Sequence, residues 1–335
     1  MENVRRRIYS CISGCYSTIL KTELAVTSYI SNTHVQKGRI WLEIFLHIGA
    51  HRTGTTSLQA NLSNNRKLLR KHRLSYWGPK TIRKGLFAGM FSAPSFRDSD
   101  DKVKLVTETK QNINHRIEAL AQRGQSYLLI SDENVLGSMK SNLRQSELYP
   151  DLFMRLTHFS SIFGKDCSRV GISIRQYDSF WSSCIAYSIK AGYRVPSSND
   201  LARLCGQTRT WRDVILEVSE MFPNAKILVW EFDNYAGKTN EQMRILTGLE
   251  LDFQTAQIDN RRHNASPNLS NLRKILLDRG DGVAAQSFSN SEDLYKPFSS
   301  RQIEHLRENY LRDIDWLKSG AEGSVTFFGS ERETH

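Results

Sequence analysis

Nine residues, Gly49-Ala50-His51-Arg52-Thr53-Gly54-Thr55-Thr56-Ser57, have the types and spacing needed to hold a phosphate. The two glycines lack a Cβ and so allow a tight turn and close backbone approach. Thr55, Thr56 and Ser57 supply hydroxyl donors, Arg52 supplies a permanent positive charge, and the His51 ring could line the site. The preceding Trp41-Leu42-Glu43-Ile44-Phe45-Leu46 is short and mostly apolar, as in a buried strand. The following Leu58-Gln59-Ala60-Asn61-Leu62 reads as the first turns of a helix. A strand, a glycine loop and a helix start together make an anion cradle. N–H groups at a helix N-terminus point at the ligand, and the helix dipole favours negative charge there. His47, inside the strand, reads as a packed core residue.

The spacing from Gly49 to Gly54 is that of a Walker A loop, but Thr55 stands where that loop has its Lys. The missing Lys argues against an ordinary ATPase or GTPase, because that side chain bridges the β- and γ-phosphates. Two further apolar strands end in residues that could do chemistry. Tyr127-Leu128-Leu129-Ile130 leads into Ser131-Asp132-Glu133-Asn134. Glu133 therefore falls beyond the carboxyl end of a strand, where open parallel sheets bind ligands. Residues 169–174 lead into Arg175, and Ser183 follows eight positions later. Arginine suits phosphate because its planar fork donates two hydrogen bonds and stays charged. Near the C-terminal end, Arg261-Arg262-His263-Asn264-Ala265-Ser266-Pro267 is a basic, polar loop.

A cation just before Gly-Thr-Thr, here Arg52-Thr53-Gly54-Thr55-Thr56, followed downstream by Arg175 and Ser183, resembles the sulfotransferases that use 3′-phosphoadenosine 5′-phosphosulfate (PAPS). The resemblance covers roughly residues 42–232 and carries specific implications. Arg52, in place of the family's usual Lys, would neutralise charge growing on the leaving phosphate. The Gly49–Ser57 stretch would cradle that phosphate through the backbone of Thr53, Gly54 and Thr55 and the hydroxyls of Thr55 and Thr56. Arg175 and Ser183 would hold the 3′-phosphate. Glu133 would be the base, as in glycan-modifying and bacterial members, with its carboxyl pKa raised by partial burial. Arg261 or Arg262 would close over the 3′-phosphate and adenine. No metal is required, and the implied acceptor is a hydroxyl on a carbohydrate or lipid-linked glycan. Two departures stand out: Tyr177 replaces a frequent Pro, and the glycine-rich form of the closing loop is absent.

Positioning these residues requires repeated strand–helix units, hence an α/β fold: three layers, α/β/α, around a parallel sheet of about five strands. The candidate strands are 42–48, 74–77, 127–131, 169–174 and 226–232. Helices are expected from Ser57 towards Leu69, after Asp100, from Leu148 to Phe163, around Trp211, from Glu241 to Leu249, after Leu269 and through 301–317. Residues 80–100 read as a long loop covering the site, and 184–210 as helix end and loop near an acceptor pocket. The division is an extension over 1–40, a sulfotransferase domain over 41–318, and a frayed tail over 319–335.

The chain has 335 residues, 39% hydrophobic and 24% charged, with a net charge of +11, ordinary for a globular protein with a substantial core. Its basic clusters are short and carry no nucleic-acid motif, so the charge fits a polyanionic donor better than nucleic acid. Five scattered cysteines form no C-x-x-C pair, which suits reduced thiols in the cytoplasm. No apolar run reaches 18 residues, so no transmembrane helix is expected. Arg5-Arg6-Arg7 and the apolar residues after it read either as a segment on an anionic membrane surface or, preferred, as a peripheral extension. Two rival readings remain: a P-loop kinase or NTPase, and a non-catalytic basic binding protein.

Overall fold

Successive residues of a strand point to opposite faces, and this alternation divides the core into two layers. The computed structural model describes residues 42–91, 100–253, 265–323 and 325–329. Six strands form one sheet: β1 (Glu43–His47), β2 (Leu74–Trp77), β3 (Tyr127–Ser131), β4 (Cys167–Ile174), β5 (Lys226–Glu231) and β6 (Val325–Phe328). They run in the order β2-β3-β1-β4-β5-β6, and every neighbouring pair is parallel. Ile44, Leu46, Leu128, Ile130, Val170 and Ile172 belong to the larger core cluster, whereas the intervening Phe45 and Leu129 belong to a second one. The near-continuous apolar runs therefore reflect burial on both faces, as expected for a parallel sheet covered by helices.

The helices include α1 (Thr55–Asn64), α2 (Arg66–Lys71), α3 (Asp100–Gln122), α4 (Leu152–Phe163), α5 (Tyr177–Lys190), α6 (Ser198–Cys205), α7 (Trp211–Met221), α8 (Thr239–Thr247), α9 (Leu269–Asp278) and α10 (Ser300–Lys318). Residues of α3, α4, α5, α7 and α10 line the larger cluster; those of α1, α2 and α8 pack into the other. The result is the expected α/β/α arrangement. β1 sits between β3 and β4, so the chain order reverses beside it. The carboxyl ends of β1 and β4 thus flank the crevice where such sheets take ligands.

Several elements differ from expectation. The sheet has six strands: Val325–Phe328, within the segment expected to fray, pairs with β5 in register Ile227↔Val325 to Trp230↔Phe328. The single helix expected from Ser57 to Leu69 is broken at Asn65, whose Nδ2 donates to the Asn61 carbonyl at 2.9 Å in competition with the helical ladder. The expected loop over 80–100 begins with helical turns, Pro79–Thr81 and Ile82–Leu86, followed by buried Phe87 and Met90. The 184–210 region contains α6, started by a capping box in which Ser197 and Asp200 satisfy each other's backbone N–H groups. The N-terminal extension over 1–40 lies outside the described residues. Among those described, no helix is long and apolar enough to cross a membrane.

Candidate functional site

β1 delivers the glycine loop to the centre of the crevice. The loop is tied to β4 by Ala50 N–H donating to Ser173 O (3.0 Å) and Ser173 N–H donating to Gly49 O (2.6 Å). Gly49 has φ 118°, and a Cβ there would lie 3.1 Å from Glu133 Cβ. Gly54 has φ 76°, directly before α1, and a Cβ there would lie 3.2 Å from the Phe232 ring. Both positions demand glycine, for conformation and for space. Arg52 itself adopts a left-handed φ of 62°, the kind of strain that a tightly tied loop sustains. Thr53 spends its hydroxyl inside the loop, donating to Ala50 O at 2.7 Å. Thr55, Thr56 and Ser57 open α1, and the Ser57 N–H donates back to Gly54 O at 3.1 Å.

Two guanidinium groups meet at this loop. Arg175, from the end of β4, donates from Nη1 to the Arg52 carbonyl at 3.0 Å, and its guanidinium carbon lies 4.9 Å from the centre of the Phe232 ring. Arg52 donates from Nε to Ser183 Oγ (2.9 Å) and from Nη2 to Ser266 Oγ (3.1 Å), and it lies 4.9 Å over the Tyr187 ring. Ser183 and Ser266 are 2.7 Å apart. Burial depresses the pKa of both arginines, and for Arg52 the nearby Arg175 adds to it. Two partly desolvated like charges side by side form an arrangement that an anion would relieve. The buried Arg175 Nε has no hydrogen-bond partner. Arg175 and Ser183 open onto a cavity of about 200 Å³ lined also by Ser179, Ser266, Lys296 and Arg307. Asp178 lines it too, 4.0 Å from Arg307. Arg52 is therefore brought to Arg175 and Ser183, more than a hundred residues away in sequence. Arg261 and Arg262 lie outside the described residues.

On the β3 side, Asp132 and Glu133 follow the strand into a short helical turn, Glu133–Val135. Gln59 Nε2 donates to one Glu133 oxygen and Arg83 Nη2 to the other, each at 3.0 Å. Arg83 also clamps the fully buried Asp132 through two bonds of 2.8 and 2.6 Å. The raised pKa expected for Glu133 is not found. Burial does push the carboxyl up, but His51, its own backbone N–H, Gln59 and Arg83 outweigh it and hold it at about 2. Burial also lowers the His51 pKa, while the Glu133 charge, the Asn134 hydrogen bond and Asp132 raise it, so His51 and Glu133 titrate as a coupled pair. His51 is 5% exposed and both ring nitrogens are engaged, Nδ1 with Tyr149 OH at 3.1 Å and Nε2 with the Asn134 amide at 3.2 Å. His47 is a core residue, as expected: it bonds Ser131 Oγ at 2.8 Å, stacks on Trp230, and burial lowers its pKa to about 4.

Gln59, Arg83, Tyr149 and Ser266 escaped the sequence reading. Gln59 carried a faint signal, a polar residue on the apolar face of α1 beside Leu58 and Leu62. Arg83 and Ser266 lie in segments expected near the site, 80–100 and the 261–267 loop, but no residue pattern singled them out; Tyr149 carried no signal. Cys167 and Cys184 are buried free thiols that burial pushes up to about 12, so neither is a nucleophile. Among the described residues, no group of three or more His, Cys, Asp or Glu side chains converges as a metal site would require.

No protein-family model matches the chain, and no curated protein matches it. Among solved structures, FtsY from Mycoplasma mycoides aligns over 83% of this chain and 70% of its own, at 11% identity and a TM-score of 0.24, a likeness too slight to carry an argument.

Proposed function

We propose that this protein is a PAPS-dependent sulfotransferase acting on a carbohydrate or glycolipid hydroxyl. The observation that carries the reading is the meeting of Arg52 and Arg175 at the sheet's switch point, with Ser183 bonded to Arg52 and lining, with Arg175, a serine-rich cavity. A donor with phosphate at both its 3′ and 5′ positions needs two adjacent anion sites, and these residues fit that need. When bound, the donor supplies a sulfuryl group carried on its 5′-phosphate. Arg52 and the start of α1 neutralise charge on the departing phosphate oxygen, while Arg175 and Ser183 hold the 3′-phosphate. The bond from sulfur to that oxygen breaks as the acceptor oxygen bonds to sulfur, and the acceptor's proton must leave. Glu133 is the better-placed proton acceptor. A carboxylate oxygen keeps a spare lone pair beside its bonds to Gln59 and Arg83, whereas each His51 nitrogen has its one site taken. Its low pKa makes it a weak base, so positioning carries more of the catalysis than proton transfer. The buried free thiols suit a cytoplasmic setting.

The test is calorimetric titration with 3′-phosphoadenosine 5′-phosphate, against ATP and the analogue lacking the 3′-phosphate, without metal. The expected result is preference for the 3′-phosphorylated nucleotide, lost in Arg175→Ala. Preference for ATP, or unchanged discrimination in the variant, would overturn the assignment.

A further inference from the structure

A second cavity, of about 190 Å³, lies between the helix Met139–Gln145 and the start of α4. Lys140, Arg144 and Arg155 line it, against one carboxylate, Asp151, whose Oδ2 accepts from Ser141 Oγ at 3.2 Å. Two of its donors lack acceptors. Asn142 is fully buried; its Oδ1 accepts the Tyr149 N–H at 3.2 Å, and its Nδ2 has no partner. Arg155 donates from Nη2 to the Asn134 carbonyl at 2.5 Å, and its buried Nε has no partner. Stranded donors of this kind are rare in folded proteins, and both residues line the cavity, where an acceptor oxygen satisfies them once their side chains turn towards it. Donors in excess, beside net positive charge, call for an oxyanion. The cavity also borders the phosphate loop: Tyr149 lines it while bonding His51, and Arg155 holds Asn134, which bonds the other His51 nitrogen.

We propose that this cavity binds the carboxylate or sulfate ester of an acidic saccharide, and so selects an anionic acceptor; the acceptor role, though not the oxyanion site, rests on the transferase reading. Arg155 and Asn142 supply the directed bonds, and Lys140 and Arg144 supply attraction from the rim.

The test uses the full chain, titrated separately with sodium sulfate and sodium glucuronate at an ionic strength held constant with chloride. The Asn142 side-chain amide and the Gly54 backbone amide are followed by NMR in the same spectra. A saturable shift of the Asn142 signal is expected with one or both probes. Sulfate alone identifies a sulfate ester, and glucuronate alone a carboxylate. Replacing the two exposed cations together, Lys140→Ala with Arg144→Ala, should weaken the response about tenfold without unfolding the protein. An Asn142 signal that stays still while sulfate moves Gly54 would overturn the site and leave the donor reading intact, as would a response unchanged in the double variant. A shift at Asn142 in a protein that binds no 3′-phosphoadenosine 5′-phosphate would support the site and sink only the transferase.

Discussion

Glu133→Gln tests the electrostatics of the site most directly. The folded carboxyl sits at about 2 against an ordinary 4.5, and its side chain is 15% exposed. A folded value below the unfolded one means that the ionised form is favoured by folding. The stabilisation is complete above pH 4.5 and is lost as the pH falls towards 2. Its size at pH 7 is ~3 kcal/mol, at 1.36 kcal/mol per tenfold change in proton affinity. By pH 3 about half of it is gone. Glutamine keeps the shape and can still accept from Gln59, but it cannot ionise. Urea unfolding of both proteins at pH 7 and pH 3 reads this group together with His47 and His51, whose pKa values its charge raises. The wild type should exceed the variant by ~3 kcal/mol at pH 7 and by ~1.5 kcal/mol at pH 3. A gap that stays constant with pH would show that Glu133 is not held as described. Turnover should fall in the variant while affinity for 3′-phosphoadenosine 5′-phosphate is kept; a loss of affinity instead would move Glu133 from proton acceptor to donor binding.

Arg52→Ala should weaken 3′-phosphoadenosine 5′-phosphate binding roughly 10- to 100-fold, the worth of charge-assisted bonds to phosphate; calorimetry showing less than a threefold change would remove Arg52 from the site. Asp313 behaves oppositely to Glu133: buried beneath Tyr177 and the Trp211 N–H, its carboxyl is pushed up to about 6, chiefly by burial. A raised folded value costs stability as pH rises, so relative to Asp313→Asn the wild type should lose about 2 kcal/mol between pH 4 and pH 7. Chemical denaturation at the two values checks the sign.

What was readable from the chain alone is what local physics decides. The apolar stretches 42–48, 127–131 and 169–174 are too short for helices and too apolar for loops, so they had to be strands, and strands alternating with helices had to make a parallel sheet. Gly49 and Gly54 marked the phosphate turn because few other residues tolerate that backbone. Arg175 and Ser183 stood out only through their position after a strand. The tertiary structure decided everything that depends on segments meeting. Arg83 reaches Asp132 and Glu133 from a stretch with no period, and Ser266 reaches Arg52 across 214 positions. Val325–Phe328 becomes a strand only because β5 offers an open edge. The pKa of Glu133 shows the reason plainly: burial alone pushes a carboxyl up, and the side chains that reverse the sign are His51 from the glycine loop, Gln59 from helix α1 and Arg83, neighbours that only folding creates.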